Sequence, residues 1–249
     1  MLFEGKTVII TGSGAGIGRS AAVAFAKAGA NVVTNSVSGN SSVCDEIRAA
    51  GGNAIYVKAD VSTAEGAEAL FREAAAAYGD IDVVVNAAGI VPEGNVETCD
   101  EDEWDRVMRI NVKSVYLMAH NAIPYLRKTK GCMVNITSTV AIKGVANRAS
   151  YSASKGAVLS LSRSMAIEYA KEGIRVNCVC PGTVCSPSFM QRVNNAPDPE
   201  AAMKNFVARQ PMGRLGEPDE VARAILFAAD PNVGFMTGAN IVVDGAMTV

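Results

Sequence analysis

The chain has 249 residues, enough for one large α/β domain or two small ones, and it is 49% hydrophobic and 19% charged, which suits a globular chain with a sizeable core. A net charge of −2 provides no broad basic surface for nucleic acid or anionic lipid. The six cysteines form no C-x-x-C pair, His120 is the single histidine, and no G-x-S-x-G elbow occurs, so neither a Cys/His zinc site nor a Ser-His-Asp hydrolase is expected.

The N-terminal residues enter a strand-like run at once. No basic n-region precedes a long apolar stretch, and no apolar run is long enough for a bilayer, so a cytoplasmic location is expected. In chain order, strands are predicted at Thr7–Thr11, Asn31–Asn35, Ala54–Lys58, Val83–Asn86, Cys132–Thr137, Val176–Val179 and Asn240–Val243. Helices are predicted to start near Gly16, Ser41, Ala64, Trp104, Ser150 and Asp219, with His120 in a helical stretch from Val115 to Leu126. Short β-branched strands spaced by Ala-rich helices imply parallel βαβ units with right-handed crossovers. Strands apolar on both faces imply helices on both sides of the sheet. No linker or repeat divides the chain, so residues 1–249 read as one domain. The irregular stretch from Pro181 to Gln210 reads as a mobile helical insertion covering a site, at about 183–212.

The first strand runs into Thr11-Gly12-Ser13-Gly14-Ala15-Gly16-Ile17-Gly18, after which a helix begins. Glycines let backbone N–H groups approach a pyrophosphate, which a helix N-terminus favours electrostatically. Position between the first strand and first helix is the context that such a loop requires. At the end of the second strand, Ser36 stands where an acid for the ribose 2′-hydroxyl of NAD is expected. Asn35, Ser36 and Ser38 offer hydrogen bonds to a 2′-phosphate, which favours NADP over NAD. Ala15 and Val37 bring no Lys or Arg to pair with that phosphate.

Ser150-Tyr151-Ser152-Ala153-Ser154-Lys155 opens a helix, and residues four apart share one face. A phenol is a poor base at neutral pH, and a nearby ammonium is expected to lower its pKa and make it a usable acid or base. Ser138, just past the fifth strand, is placed to hold a substrate oxygen.

Thr11-Gly12-x-x-x-Gly16-x-Gly18, Asp60, Asn86-Ala87-Ala88-Gly89, Asn111, Ser138, Tyr151-x-x-x-Lys155 and Pro181-Gly182 occur in one order and spacing. Together they resemble the short-chain dehydrogenase/reductase family, over the whole chain. The resemblance implies a single-domain Rossmann fold with a seven-stranded parallel sheet, NAD(P)-dependent hydride transfer between alcohol and ketone, and a homotetramer. It implies that Asp60, with Val61, meets the adenine. Asn86, Ala87 and Gly89 would support the sheet and line the cofactor. Asn111 would hold a water in a proton relay with Lys155. Ser138 would orient the substrate, Tyr151 transfer the proton, and Lys155 bind the nicotinamide ribose. Pro181, Gly182, Thr183 and Val184 would hold the nicotinamide amide. Thr137 and Thr139 flank Ser138, and Asp244-Gly245-Ala246 replaces the usual Asp-Gly-Gly. Neither departure touches the relay.

Arg148, Arg192 and Arg209 fall where substrate is expected, and guanidiniums in an apolar site suit a carboxylate. The Pro181–Ser188 and Arg209–Arg214 stretches resemble relatives that oxidise 3-hydroxy acids or deoxy sugar acids. The expected substrate is therefore a carboxylate-bearing hydroxy or keto compound. The alternatives are neutral ketones or 3-oxoacyl thioesters, or a nucleotide-binding sensor, though a sensor of this fold usually loses relay residues that are all present here.

Overall fold

In the computed structural model, which describes residues 1–249, strands and helices alternate as the sequence implies. The elements are β1 (Thr7–Thr11), α1 (Gly16–Lys27), β2 (Asn31–Ser36), α2 (Ser42–Ala49), β3 (Asn53–Lys58), α3 (Ala64–Tyr78), β4 (Val83–Asn86), α4 (Glu101–Met108), α5 (Ser114–Thr129), β5 (Cys132–Ile136), α6 (Ala149–Tyr169), β6 (Arg175–Pro181), α7 (Pro187–Asn194), α8 (Pro199–Ala208), α9 (Pro218–Ala229) and β7 (Asn240–Val243). The seven strands form one parallel sheet in the order β3-β2-β1-β4-β5-β6-β7.

Successive strand residues point to opposite faces, so each strand feeds two cores. Val8, Ile10, Val85 and Val134 pack against Ala21 and Phe25 of α1, Ile47 of α2 and Ile225 of α9. Ile9, Val33, Val84 and Met133 pack against Leu70 and Phe71 of α3, Met118 and Leu126 of α5 and Met165 of α6. Each fully buried side chain of this size contributes about 1.5–3 kcal/mol relative to exposure. Burial on both faces fails at β7, the sheet edge, whose residues are half-buried or exposed.

Boundaries move where caps act. Helix α4 begins at Glu101, ahead of the predicted Trp104, because the Asp100 carboxylate accepts from Glu103 N–H and three acids occupy the positive first turn. Between α4 and α5, residues Arg109–Lys113 form a π-turn, closed by Ser114 N–H on the Arg109 carbonyl. Strand β6 starts at Arg175, whose buried guanidinium donates to the carbonyls of Ala228, Ala229, Asp230 and Met236, satisfying the end of α9. The irregular stretch folds as α7 and α8, capped by Ser186 and Asp198. No helix is long and apolar enough to cross a membrane.

The strand order reverses between β1 and β4. Crossovers leave in opposite directions there, which opens a crevice at the carboxyl ends of the strands.

Candidate active site

Two adjoining cavities occupy that crevice and share Gly12, Ala15 and Gly89. One, of about 370 Å³, is lined by Gly12, Gly16, Ile17, Gly18, Ala87, Gly89, Ser138, Arg148, Tyr151, Lys155, Pro181, Gly182, Thr183, Val184, Arg192 and Arg209. The other, of about 490 Å³, is lined by Asn35, Ser36, Ser38, Asp60 and Val61 together with Gly12, Gly14 and Gly89. Ser13, Asn86 and Asn111 lie behind these walls.

The glycine loop is shaped by close packing. Gly12 has φ +63°, and a Cβ there would meet the Ala88 backbone at 2.7 Å; one on Gly18 would meet the Gly12 carbonyl at 2.4 Å. Helix α1 therefore starts tight against β1. Its N-cap, Ala15, makes no side-chain cap and no acid sits in the first turn, so the positive end of the helix faces the cavity with its amides free. Thr11 Oγ1 accepts from the N–H groups of Ala87 and Ala88, locking the β1 and β4 loops together. The sequence marks Thr11 only as the residue that opens the glycine loop; its contact with the β4 loop lies across strands and is not legible there.

Two of the expected nucleotide ligands are committed elsewhere. Ser13 Oγ accepts from the Asn35 N–H at 2.8 Å and faces the Asn35 carbonyl at 3.3 Å, so its hydroxyl ties the loop to β2. The Asn35 amide donates to the carbonyls of Val57 and Ala59 at 3.0 Å each. It points to the opposite face from Ser36 and braces β2 against β3, so its side chain has no donor left for a 2′-phosphate. Ser36 stays open to the cavity: its hydroxyl contacts Ser38 Oγ at 3.3 Å and Tyr56 Oη at 3.1 Å. Asp60 accepts from Ser62 N–H and Oγ and faces Arg109 at 3.7 Å. Burial opposes its charge, but the Ser62 hydrogen bonds and Arg109 prevail and hold the carboxyl below its usual range.

At the other end, Tyr151 and Lys155 project from the first turns of α6 toward Ser138, and all three are buried. Lys155 Nζ donates to the Ile136 carbonyl at 2.8 Å and sits 5.9 Å from the Tyr151 ring centre. The expected lowering of the phenol does not result. Burial pushes Tyr151 up, against the opposing Ser138 hydroxyl and the Arg192 and Arg148 guanidiniums. Burial also pulls Lys155 down to about 8. Asn111 is held by Ile90 on both sides, its Oδ1 accepting from Ile90 N–H at 2.8 Å and its Nδ2 donating to the Ile90 carbonyl at 3.0 Å; the same Nδ2 donates to Ser154 Oγ. Asn86 donates to Asn135, which donates to Ser162 of α6, so a buried amide chain joins β4, β5 and α6.

The three arginines divide. Arg148 pairs with Glu93 at 2.9 Å, and its side chain is 10% exposed. Arg192 lies over the Phe189 ring, and its Nε is buried without a hydrogen-bond partner. Burial, reinforced by Arg148, lowers the Arg192 pKa. Arg209 stacks on Phe206 at the exposed rim. Gln210, which sequence reasoning passed over, is buried and donates to Thr183 Oγ1 at 3.0 Å, joining the end of α8 to the loop after β6.

A family profile described as enoyl-(acyl carrier protein) reductase matches residues 12–248. An uncharacterized oxidoreductase of Thermotoga maritima is 44% identical over 100% of this chain and 99% of its own. A 2-keto-3-deoxy-L-fuconate dehydrogenase of Xanthomonas campestris pv. campestris is 39% identical over 97% of this chain and 80% of its own. A crystal structure described as a short-chain dehydrogenase/reductase of Burkholderia xenovorans superposes with a TM-score of 0.94 at 32% identity, covering 99% of this chain and 97% of that one.

Proposed function

The chain belongs to the short-chain dehydrogenase/reductase family and is an NAD(P)-dependent oxidoreductase acting between alcohol and ketone; on that basis we propose that its substrate bears a carboxylate, that its cofactor is NADP, and that Tyr151 is its acid and base. The uncapped end of α1 fits a pyrophosphate, and the adjoining cavities fit the two halves of a dinucleotide. A dinucleotide held there would supply hydride to a ketone carbon or accept it from an alcohol.

The protein manages the proton. Ser138 and Tyr151 flank the substrate oxygen and polarise it together. The buried phenol keeps its proton at neutral pH and passes it to the oxygen in reduction. In oxidation Tyr151 takes the alcohol's proton, and Ser138, Arg192 and Arg148 favour the phenolate that must form first. Lys155 would hold the nicotinamide ribose and, with Asn111, would pass the proton onward through a water. Gly12, Gly16, Ile17 and Gly18 would hold the pyrophosphate, Asp60 and Val61 the adenine, and Pro181, Gly182, Thr183 and Val184 the amide.

The observation carrying the carboxylate reading is Arg192 Nε, a buried cationic donor without a partner, beside Arg148 in the substrate cavity. The guanidinium is half-buried, its Nη1 reaches the Val91 carbonyl and no carboxylate pairs with it, so an incoming carboxylate would satisfy the free Nε and the charge together. The Xanthomonas relative, named for a keto sugar acid, agrees. Replacing Arg192→Met should raise KM for 3-hydroxy acids about 10- to 100-fold and leave neutral secondary alcohols unchanged. Equal losses on both substrate types would sink the reading. NADP is supported by Ser36, which puts no carboxylate at the end of β2 to repel a 2′-phosphate; a tighter hold on NADH than on NADPH would refute it. Exposed Phe227 on α9 and Val242 on β7 support a homotetramer, which sedimentation equilibrium tests.

A further inference from the structure

The NADP reading leaves one physical gap: a 2′-phosphate carries two negative charges, and no Lys or Arg is near it in sequence. The sheet closes that gap. In the β2–β3 register Ser36 pairs with Lys58, the last residue of β3, so the two side chains leave the sheet on the same face. Lys58 lies over the loop that follows β2. A Cβ built on Gly39 would stand 3.9 Å from Lys58 Nζ, and Gly39 has φ +79°, a conformation that lets the loop turn without placing a side chain under the lysine. Tyr56 Oη, also on that face, donates to the Ser36 carbonyl at 3.0 Å and fixes the end of β2.

Lys58 forms no ion pair and no side-chain hydrogen bond within the protein. Two other cations stand near: Arg19 is paired with Glu46, and Arg109, which lines the cavity, donates to Ser62 Oγ and faces Asp60 at 3.7 Å. Asp60 is the only carboxylate lining the cavity, and it is occupied by Ser62 and Arg109. An unpaired ammonium therefore stands at the edge of this cavity, on the strand position paired with Ser36 and over Gly39, while Ser36 and Ser38 line the cavity itself.

We propose that Lys58 is the specificity-determining cation of this enzyme, pairing with the 2′-phosphate of NADP while Ser36 and Ser38 donate hydrogen bonds to it. The inference rests on the NADP reading and adds the residue that supplies its charge. Lysine suits the task as a mobile point charge, and the contact is exposed enough to be screened by salt.

The test is binding, measured by calorimetry on the intact enzyme with NADPH, NADH, 2′,5′-ADP and 5′-AMP. Lys58→Ala should weaken NADPH and 2′,5′-ADP about tenfold, with NADH and 5′-AMP unchanged, as for the loss of one charge-assisted contact. Lys58→Arg should restore most of the loss. Raising the salt should weaken NADPH binding in the wild type and do so less in Lys58→Ala. If the wild type prefers NADPH and Lys58→Ala weakens both dinucleotides equally, or neither, the role of Lys58 is overturned and the cofactor reading stands. If the wild type prefers NADH, the cofactor reading itself fails.

Discussion

The two ends of the crevice are made from different materials. The nucleotide end is built mainly from backbone, glycine geometry and hydroxyls, and its one lining carboxylate, Asp60, is already satisfied by Ser62 and faces Arg109. The reaction end gathers Tyr151, Lys155, Arg148 and Arg192, three cations and a phenol, against apolar walls. A fixed anion needs many weak donors held in place, which backbone provides without changing charge. A proton that must move needs groups poised away from their ordinary pKa, which only burial and neighbouring charge provide. Shape therefore does most of the holding at one end, with charge left to select the cofactor, and electrostatics runs the chemistry at the other.

If that division holds, a change at the reaction end should cost rate without cost to binding. Tyr151→Phe should lower kcat roughly 10²–10⁴-fold while the dissociation constant for the dinucleotide stays within error. Full turnover in that variant would remove Tyr151 from the chemistry. At the nucleotide end the reverse applies. Gly12→Ala puts a Cβ into the Ala88 backbone at a left-handed φ and should destabilise the fold by roughly 2–4 kcal/mol in urea denaturation, with dinucleotide binding falling alongside. Unchanged stability would mean that the β1 and β4 loops yield easily.

The smallest effect is electrostatic and depends on pH. Lys155 has a folded pKa of about 8 against an ordinary 10.5, so between those values the unfolded chain binds more protons than the native one. Stability from this group therefore rises with pH across that window, by up to about 1.4 kcal/mol per pH unit. Cys132 and Cys178, raised by burial from 9.0 to about 11, work in the opposite sense above pH 9. Urea midpoints for the wild type and Lys155→Met, compared from pH 7.5 to 9.5, isolate the lysine: the difference between them should grow in favour of the wild type as pH rises. A constant difference would show that Lys155 is not depressed.

Local patterns were legible in the sequence and cross-strand ones were not. The glycine loop and the Tyr151–Lys155 pair each lie within a single turn, where spacing alone fixes geometry. Asn35 and Ser36 are neighbours in sequence, yet pleating sends them to opposite faces, and only the β3 register shows that Asn35 is spent on Val57 and Ala59. The same register brings Lys58 beside Ser36. The contacts of Asn111 with Ile90 and of Gln210 with Thr183 join segments far apart in the chain, and no periodicity announces them. The direction of the Tyr151 shift also escaped, because it depends on how deeply α6 buries the phenol.

The π-turn at Arg109–Lys113 has a consequence for how this stretch tolerates insertions and deletions. A wider turn holds one more residue than an α-turn and absorbs it locally, whereas a residue added to or removed from the regular winding of α5 would rotate everything downstream by about 100°. Such a change at the start of α5 would swing Met118 and Leu126 out of the core, while a deletion inside the π-turn would spare that stripe and disturb only the hold of Asn111 on Ile90. The extra residue thus acts as a phase shifter between two demands on one continuous helical stretch: it lets the upstream half aim an amide at the crevice and the downstream half keep its apolar stripe on the sheet. Single-residue indels in the regular winding of α5 should for that reason be far less tolerated than a deletion within the π-turn or substitutions on the exposed face.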